Sequence, residues 1–226
     1  MNTQTPSQRR DSMARFRLCV FGIAIAIVPL AGGCAAELGQ PQAEQSATRS
    51  ALEETAIRQT DDAGNRLPFD TEFPNRWSGN NDGTTYEPCT QIPLEVVDHF
   101  GLDRQSVADV AASDHQTARG CEWRFANDPR STLAQFVGNL VRPSAGLSGH
   151  KELNRAGTTW LPDASIAGRR VLRESAMPGD CTVYVQSGDA LVITSVTRMG
   201  LNPPPSERMC GEALDFLRAT INQIPS

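Results

Sequence analysis

A chain of 226 residues with 39% apolar and 21% charged residues has room for one domain with a core of ordinary size plus a tail, rather than two domains. With residues 1–33 set aside, 17 Lys and Arg face 25 Asp and Glu, so the remainder carries 17 − 25 = −8. That balance argues against nucleic acid as a partner and against polybasic adhesion to anionic lipid.

The first element is an address. Arg9, Arg10, Arg15 and Arg17 precede Leu18 to Leu30, an uncharged apolar run, and the small residues Ala31, Gly32 and Gly33 then lead to Cys34. This is the layout of a secretory signal, and the run is shorter than the roughly 20 residues that a membrane span needs. Leu30-Ala31-Gly32-Gly33-Cys34 resembles the processing site of bacterial lipoproteins. The resemblance implies a diacylglyceryl group on the Cys34 thiol, cleavage just before it, and a membrane partner reached through that lipid. Such proteins usually carry Leu three places before the cysteine, whereas here Ala31 holds that place. The expected location is the outer, extracytoplasmic face of the cell membrane.

Residues 34–68 read as a flexible tether, since Ala, Gln, Glu, Ser and Thr dominate and residues 35–68 hold no aromatic side chain. As a flexible coil of about 35 residues it would span on the order of 30 to 35 Å. A short helix around Ser50 to Arg58 would be marginal alone.

The folded domain is expected over 69–226. Phe69, Phe73 and Trp77 form an extended arm, and Asn80-Asn81-Asp82-Gly83 a turn. Between Ile92 and Gly101 a short helix fits, with Pro93 at its first position and Gly101 capping its end. Cys121 to Phe125 alternates as a strand with Cys121, Trp123 and Phe125 inward, and Leu133 to Val141 is also strand-like. Arg142 to Asp163 reads as a mixed crossing with room for a turn of helix. Strands follow at Arg169 to Glu174, Cys181 to Gln186 and Ala190 to Arg198, the last two joined by the hairpin turn Ser187-Gly188-Asp189. Beyond three prolines, Ser206 is placed to cap a helix whose Cys210, Ala213, Leu214, Leu217, Ile221 and Ile224 share a face. The fold class is therefore α+β: an antiparallel sheet packed by a C-terminal helix and a short N-terminal helix, with two disulfides.

Cys89, Cys121, Cys181 and Cys210 form an even set in an exported domain, which favours disulfides over thiols or a metal. Sequence neighbours are the expected pairs, Cys89 with Cys121 and Cys181 with Cys210. Each closes a loop of roughly 30 residues and adds ~3 to 4 kcal/mol by the loop-entropy estimate.

The order of Tyr86-Glu87-Pro88-Cys89, Phe100-Gly101-Leu102-Asp103, Gly120-Cys121-Glu122-Trp123, Cys181-Thr182-Val183-Tyr184-Val185 and Cys210-Gly211-Glu212-Ala213-Leu214 resembles the actinobacterial lipoproteins with domain of unknown function 3558, over roughly residues 77 to 224. That family has no settled activity, so the resemblance implies architecture and address rather than chemistry.

Motifs for chemistry are sparse. His99, His115 and His150 lie far apart, and neither a Gly-x-Ser-x-Gly elbow nor a phosphate-cradling Gly-x-x-x-x-Gly-Lys occurs. No catalytic residue, metal or cofactor is expected. Ser144 to Gly149 is a glycine-rich loop fit to border a cleft. Arg169 and Arg173 would share a strand face and offer two guanidiniums to a ligand carboxylate or phosphate, while Trp77 and Trp160 are candidates for exposed aromatic contact. The expected function is a non-enzymatic, lipid-anchored module that binds an envelope protein or small ligand. A carrier of an apolar molecule, with a cavity between sheet and helix, is the alternative, and an envelope hydrolase with paired carboxylates a more distant one.

Overall fold

The computed structural model describes residues 57–226 apart from Ala112, His115 and Gln116. The signal run, Cys34 and the tether up to residue 56 lie outside the described residues. Among the described residues no helix is long and apolar enough to cross a membrane.

Seven strands form one antiparallel sheet: β1 (Ala108–Asp109), β2 (Ala118–Phe125), β3 (Asp128–Asn139), β4 (Trp160–Ile166), β5 (Arg169–Glu174), β6 (Asp180–Ser187) and β7 (Ala190–Thr197). Their order across the sheet is β1-β2-β3-β7-β6-β5-β4, so two meanders meet where β7 pairs with β3. The helices are α1 (Pro88–Gln91), α2 (Leu94–His99), α3 (Gly146–Leu153) and α4 (Ser206–Thr220), the last followed by a 3₁₀ turn, Ile221–Gln223.

Alternation decides which side chains meet α4. Leu133 and Val137 of β3, Val171 of β5, Val183 and Val185 of β6, and Val192 and Val196 of β7 are buried in one cluster with Met209, Cys210, Ala213, Phe216 and Leu217 of α4. One polar knot crosses this layer. The Tyr86 hydroxyl donates to Gln135 Oε1 at 2.6 Å, and Gln135 Nε2 donates to the Thr194 and Thr220 hydroxyls at 2.9 and 3.0 Å. Every partner is satisfied, so the knot fixes the register of arm, sheet and helix without an orphaned dipole. The opposite sheet face is covered in part by α3, through Leu140, Leu147, Leu172, Tyr184 and Leu191.

The disulfides join Cys89 to Cys121 and Cys181 to Cys210. The C-terminal helix packs the sheet as the sequence implies, but Ser206 is its first helical residue rather than its cap, and its hydroxyl bonds Ser175 Oγ at 2.7 Å. A second, N-terminal helix packed on the sheet is not supported. Helix α2 has six residues and buries only Val97, and the Phe100 ring that follows it touches Phe216 edge-on.

Two boundaries move. The folded body starts before residue 69, because Thr60 bridges Arg66 and both Asp61 and Leu67 are buried. Asp61 accepts from the Ala63 and Asn65 N–H groups, from Asn65 Nδ2 and from the Thr90 hydroxyl at 2.6 to 3.0 Å, which pins this turn to α1. The crossing from 142 to 163 contains two regular elements, α3 and the start of β4. Pro162 argues against a strand from sequence, yet β4 is an edge strand and its pairing with β5 shifts between Leu161 and Ala164, where a missing N–H costs nothing. Ala167 and Gly168 then turn the chain into β5, both at positive φ.

Candidate functional site

Two loops lie at one end of the sheet: Ser175 to Gly179 joins β5 to β6, and Arg198 to Pro205 joins β7 to α4, with Arg198 their one charged residue. They are laced together: Gly179 N–H donates to Pro204 O at 2.8 Å, Arg198 N–H to Gly179 O at 2.6 Å, and Met199 N–H to Ser131 Oγ at 3.0 Å. Gly179 has φ +90°, and a Cβ there would stand 2.6 Å from Arg198 O and 2.8 Å from Pro203 Cβ, so only glycine allows the loops to close up. Below them the buried Cys181–Cys210 bridge ties β6 to α4.

This framework presents apolar side chains to solvent. Leu201 is fully exposed, and Met177 and Met199 are more than half exposed. Beside them a surface groove of about 590 Å³ runs along α4, bounded by Phe100, Asp128, Met199, Pro204, Arg208 and Glu212. Arg198 spans its floor, stacked 3.2 Å over the Phe125 ring and paired with Glu212. The Asp128 pKa is lowered, first because the Ser131 hydroxyl donates to it, and Asp215 pairs with Arg218. The groove thus has an apolar lip and walls whose carboxylates are mostly committed to partners.

The residues singled out from sequence fall elsewhere. Arg169 and Arg173 do share the α4-facing side of β5, about 13 Å apart at ~3.3 Å per residue, but each is engaged within the chain. Arg169 donates to Ile224 O at 2.8 Å, Pro225 O at 3.0 Å and Gln186 O, locking the chain's last residues to β6, and burial lowers its pKa. Arg173 donates to Pro162 O at 2.6 Å and pairs with Glu207 at 3.3 Å. They do not converge on a ligand position.

Trp77 lies between the Arg58 and Arg76 guanidiniums, 4.3 and 4.6 Å from its centroid. Trp160 packs with Tyr184 and His150, and burial depresses the pKa of His150. The 144–149 loop is mostly α3, where Ser148 Oγ accepts from Arg170 at 2.7 Å. His99 stacks edge-on against Phe100 at the end of α2, and His115 lies outside the described residues. Among the described residues no group of His, Cys, Asp and Glu could hold a metal.

Sequence reasoning missed a buried ion cluster at the other end of the sheet. Arg76 makes two bonds to Glu87, at 2.7 and 3.0 Å, and one to Asp109 at 2.9 Å. Arg119 adds a bond to Glu87 at 3.1 Å and donates to the Asn81, Thr84 and Tyr86 carbonyls. Arg76, Glu87 and Arg119 are all buried. Burial opposes the Arg76 charge, but Glu87 and Asp109 outweigh it and raise its pKa, whereas burial wins at Arg119 and lowers it. Every guanidinium nitrogen has an acceptor, so the cluster is a clasp for the arm rather than a site.

Fold and surface together define a disulfide-stapled α+β domain: an antiparallel sheet backed by a terminal helix, with an apolar tip at one end. The chain belongs to the family described as Protein of unknown function (DUF3558), whose model matches residues 29–223. Comparison with curated proteins and with solved structures finds no match.

Proposed function

We propose that this chain is a lipid-anchored, extracytoplasmic binding module without catalytic activity, tethered through Cys34 and presenting its tip and groove to an envelope partner. The observation that carries the binding role is the tip itself. Soluble domains rarely hold several large apolar side chains in solvent on ordered loops unless something covers them. The anchor rests on the basic head, the apolar run and the small residues before Cys34, and the exported address agrees with two disulfides.

A carrier role has less support. The layer between sheet and α4 is filled by Val171, Val185, Val192, Phe216 and Leu217, all essentially solvent-free, and the groove lies outside that layer. Metabolic labelling with a fatty-acid analogue tests the anchor: the protein takes up label and Cys34→Ala abolishes it. Label persisting on Cys34→Ala would end the lipoprotein assignment.

A further inference from the structure

We infer that the tip and groove seat a segment of a partner protein that combines apolar side chains with a carboxylate, the latter meeting Arg208. The inference rests on the reading of this domain as a binding module and names the chemistry of its partner.

Three observations converge. The apolar side chains are presented rather than loose, because the lacing of the two loops, the Met199–Ser131 bond and the Cys181–Cys210 bridge remove the freedom that binding would otherwise have to freeze. Methionines with an adjacent leucine suit an adaptable apolar contact.

Arg208 supplies the second. It is exposed at the groove's mouth, and no carboxylate among the described residues pairs with it. It also occupies the first turn of α4, where the helix dipole disfavours a cation. Its neighbour Glu207, which suits that turn, is taken by Arg173. A locally unfavourable, unpaired arginine beside an apolar tip is explained by a carboxylate brought from outside.

The third is charge. The sequence beyond residue 33 carries −8, and Asp128, Glu212 and Asp215 line the same groove as Arg208. Both disfavour an anionic lipid surface, which favours a protein segment that brings one carboxylate to Arg208.

The test uses the full mature chain with Cys34→Ala and both disulfides formed, as bait for displayed random short peptides. Enriched sequences should join apolar residues to Asp or Glu. A synthetic peptide from that set should bind at least ~10-fold more weakly to Met199→Ser/Leu201→Ser, equivalent to about 1.4 kcal/mol. Arg208→Glu should weaken it too and should bind instead a peptide whose acid is replaced by Lys, a rescue that a merely structural arginine would not give. Enriched peptides indifferent to the tip variants would overturn this inference and leave the binding module standing elsewhere on the surface. No enrichment would overturn it as well, and so would flotation with vesicles of phosphatidylglycerol and phosphatidylethanolamine that is lost in Met199→Ser/Leu201→Ser, which would make the tip a lipid contact. Loss of the fatty-acid label alone removes the anchor and leaves the tip untouched.

Discussion

The two ends of the sheet solve opposite problems. Where the chain enters, two arginines and a glutamate are buried and fully hydrogen-bonded, an aromatic ring is held between cations, and the Cys89–Cys121 bridge closes the arm onto β2. At the tip Met177, Met199 and Leu201 stand in water. Polar groups were taken inside at one end and apolar groups left outside at the other, each against the hydrophobic gradient. The first inversion is compensated within the molecule, by satisfied partners. The second has no compensation among the described residues, whereas the more conspicuous arginines are already satisfied.

The comparison breaks most visibly at Glu87. Glu87→Gln leaves Arg76 and Arg119 buried with one shared anion gone, and stability should fall by about 3 to 5 kcal/mol. Urea unfolding of the oxidised chain checks this, and a loss below ~1 kcal/mol would mean that water reaches the cluster. The bridges come next. Cys181→Ser/Cys210→Ser should cost ~3 kcal/mol and loosen the tip loops, read as faster hydrogen exchange at Gly179 and Met199. In wild type, mild reductant should open Cys89–Cys121 first, because Cys89 is partly accessible whereas Cys181 and Cys210 are sealed; mass mapping of alkylated thiols would show the reverse order if the arm shields Cys89.

A smaller effect follows from Asp61. Burial works to raise its pKa, but bonds from Thr90, Asn65 and Ala63 outweigh it and hold it below the ordinary aspartate value. A depressed folded pKa means that its stabilisation is complete above the unfolded value and is lost as pH falls through the folded one. Acid should therefore release the 59–67 turn, at ~1 to 2 kcal/mol, before the sheet yields. Exchange at the Asn65 and Leu67 amides across pH 5 to 2 reads it, and Asp61→Asn should flatten that dependence.

The parts legible in sequence share one physical trait: a periodic apolar pattern that a single face must bury. Strands β5, β6 and β7 and helix α4 follow from alternation and from the spacing of Cys210, Ala213 and Leu217. Phe216 and Met209 escaped the assigned face although both are fully buried, because α4 meets core on more than one stripe. Charged and polar residues misled in the other direction. Arg76, Glu87 and Arg119 look solvated one at a time, and only the fold shows that they neutralise one another. The polar run 57–68 looks like tether because Asp61 works through hydrogen bonds and only Leu67 supplies an apolar anchor. Pro162 hid β4, since its tolerance depends on an edge position that no local pattern reveals. The candidate site was the least legible part, because exposure of Met177, Met199 and Leu201 is set by bonds between loops far apart in sequence, Gly179 to Arg198 and to Pro204.

The smallest expected effect is the most informative about the tip. If Leu201 contributed to folding, Leu201→Ser would cost the ~1.5 to 3 kcal/mol of a buried leucine. Its full exposure instead predicts a change within about 0.5 kcal/mol of zero, or slight stabilisation. Paired urea curves with Leu217→Ser, a change in the solvent-free core layer, set the scale, since that variant should lose several kcal/mol. A neutral Leu201→Ser leaves the side chain without an intramolecular reason to be apolar. A costly one would show that the tip loops fold back on themselves in solution, and the contrast between the two ends of the sheet would then be one of degree.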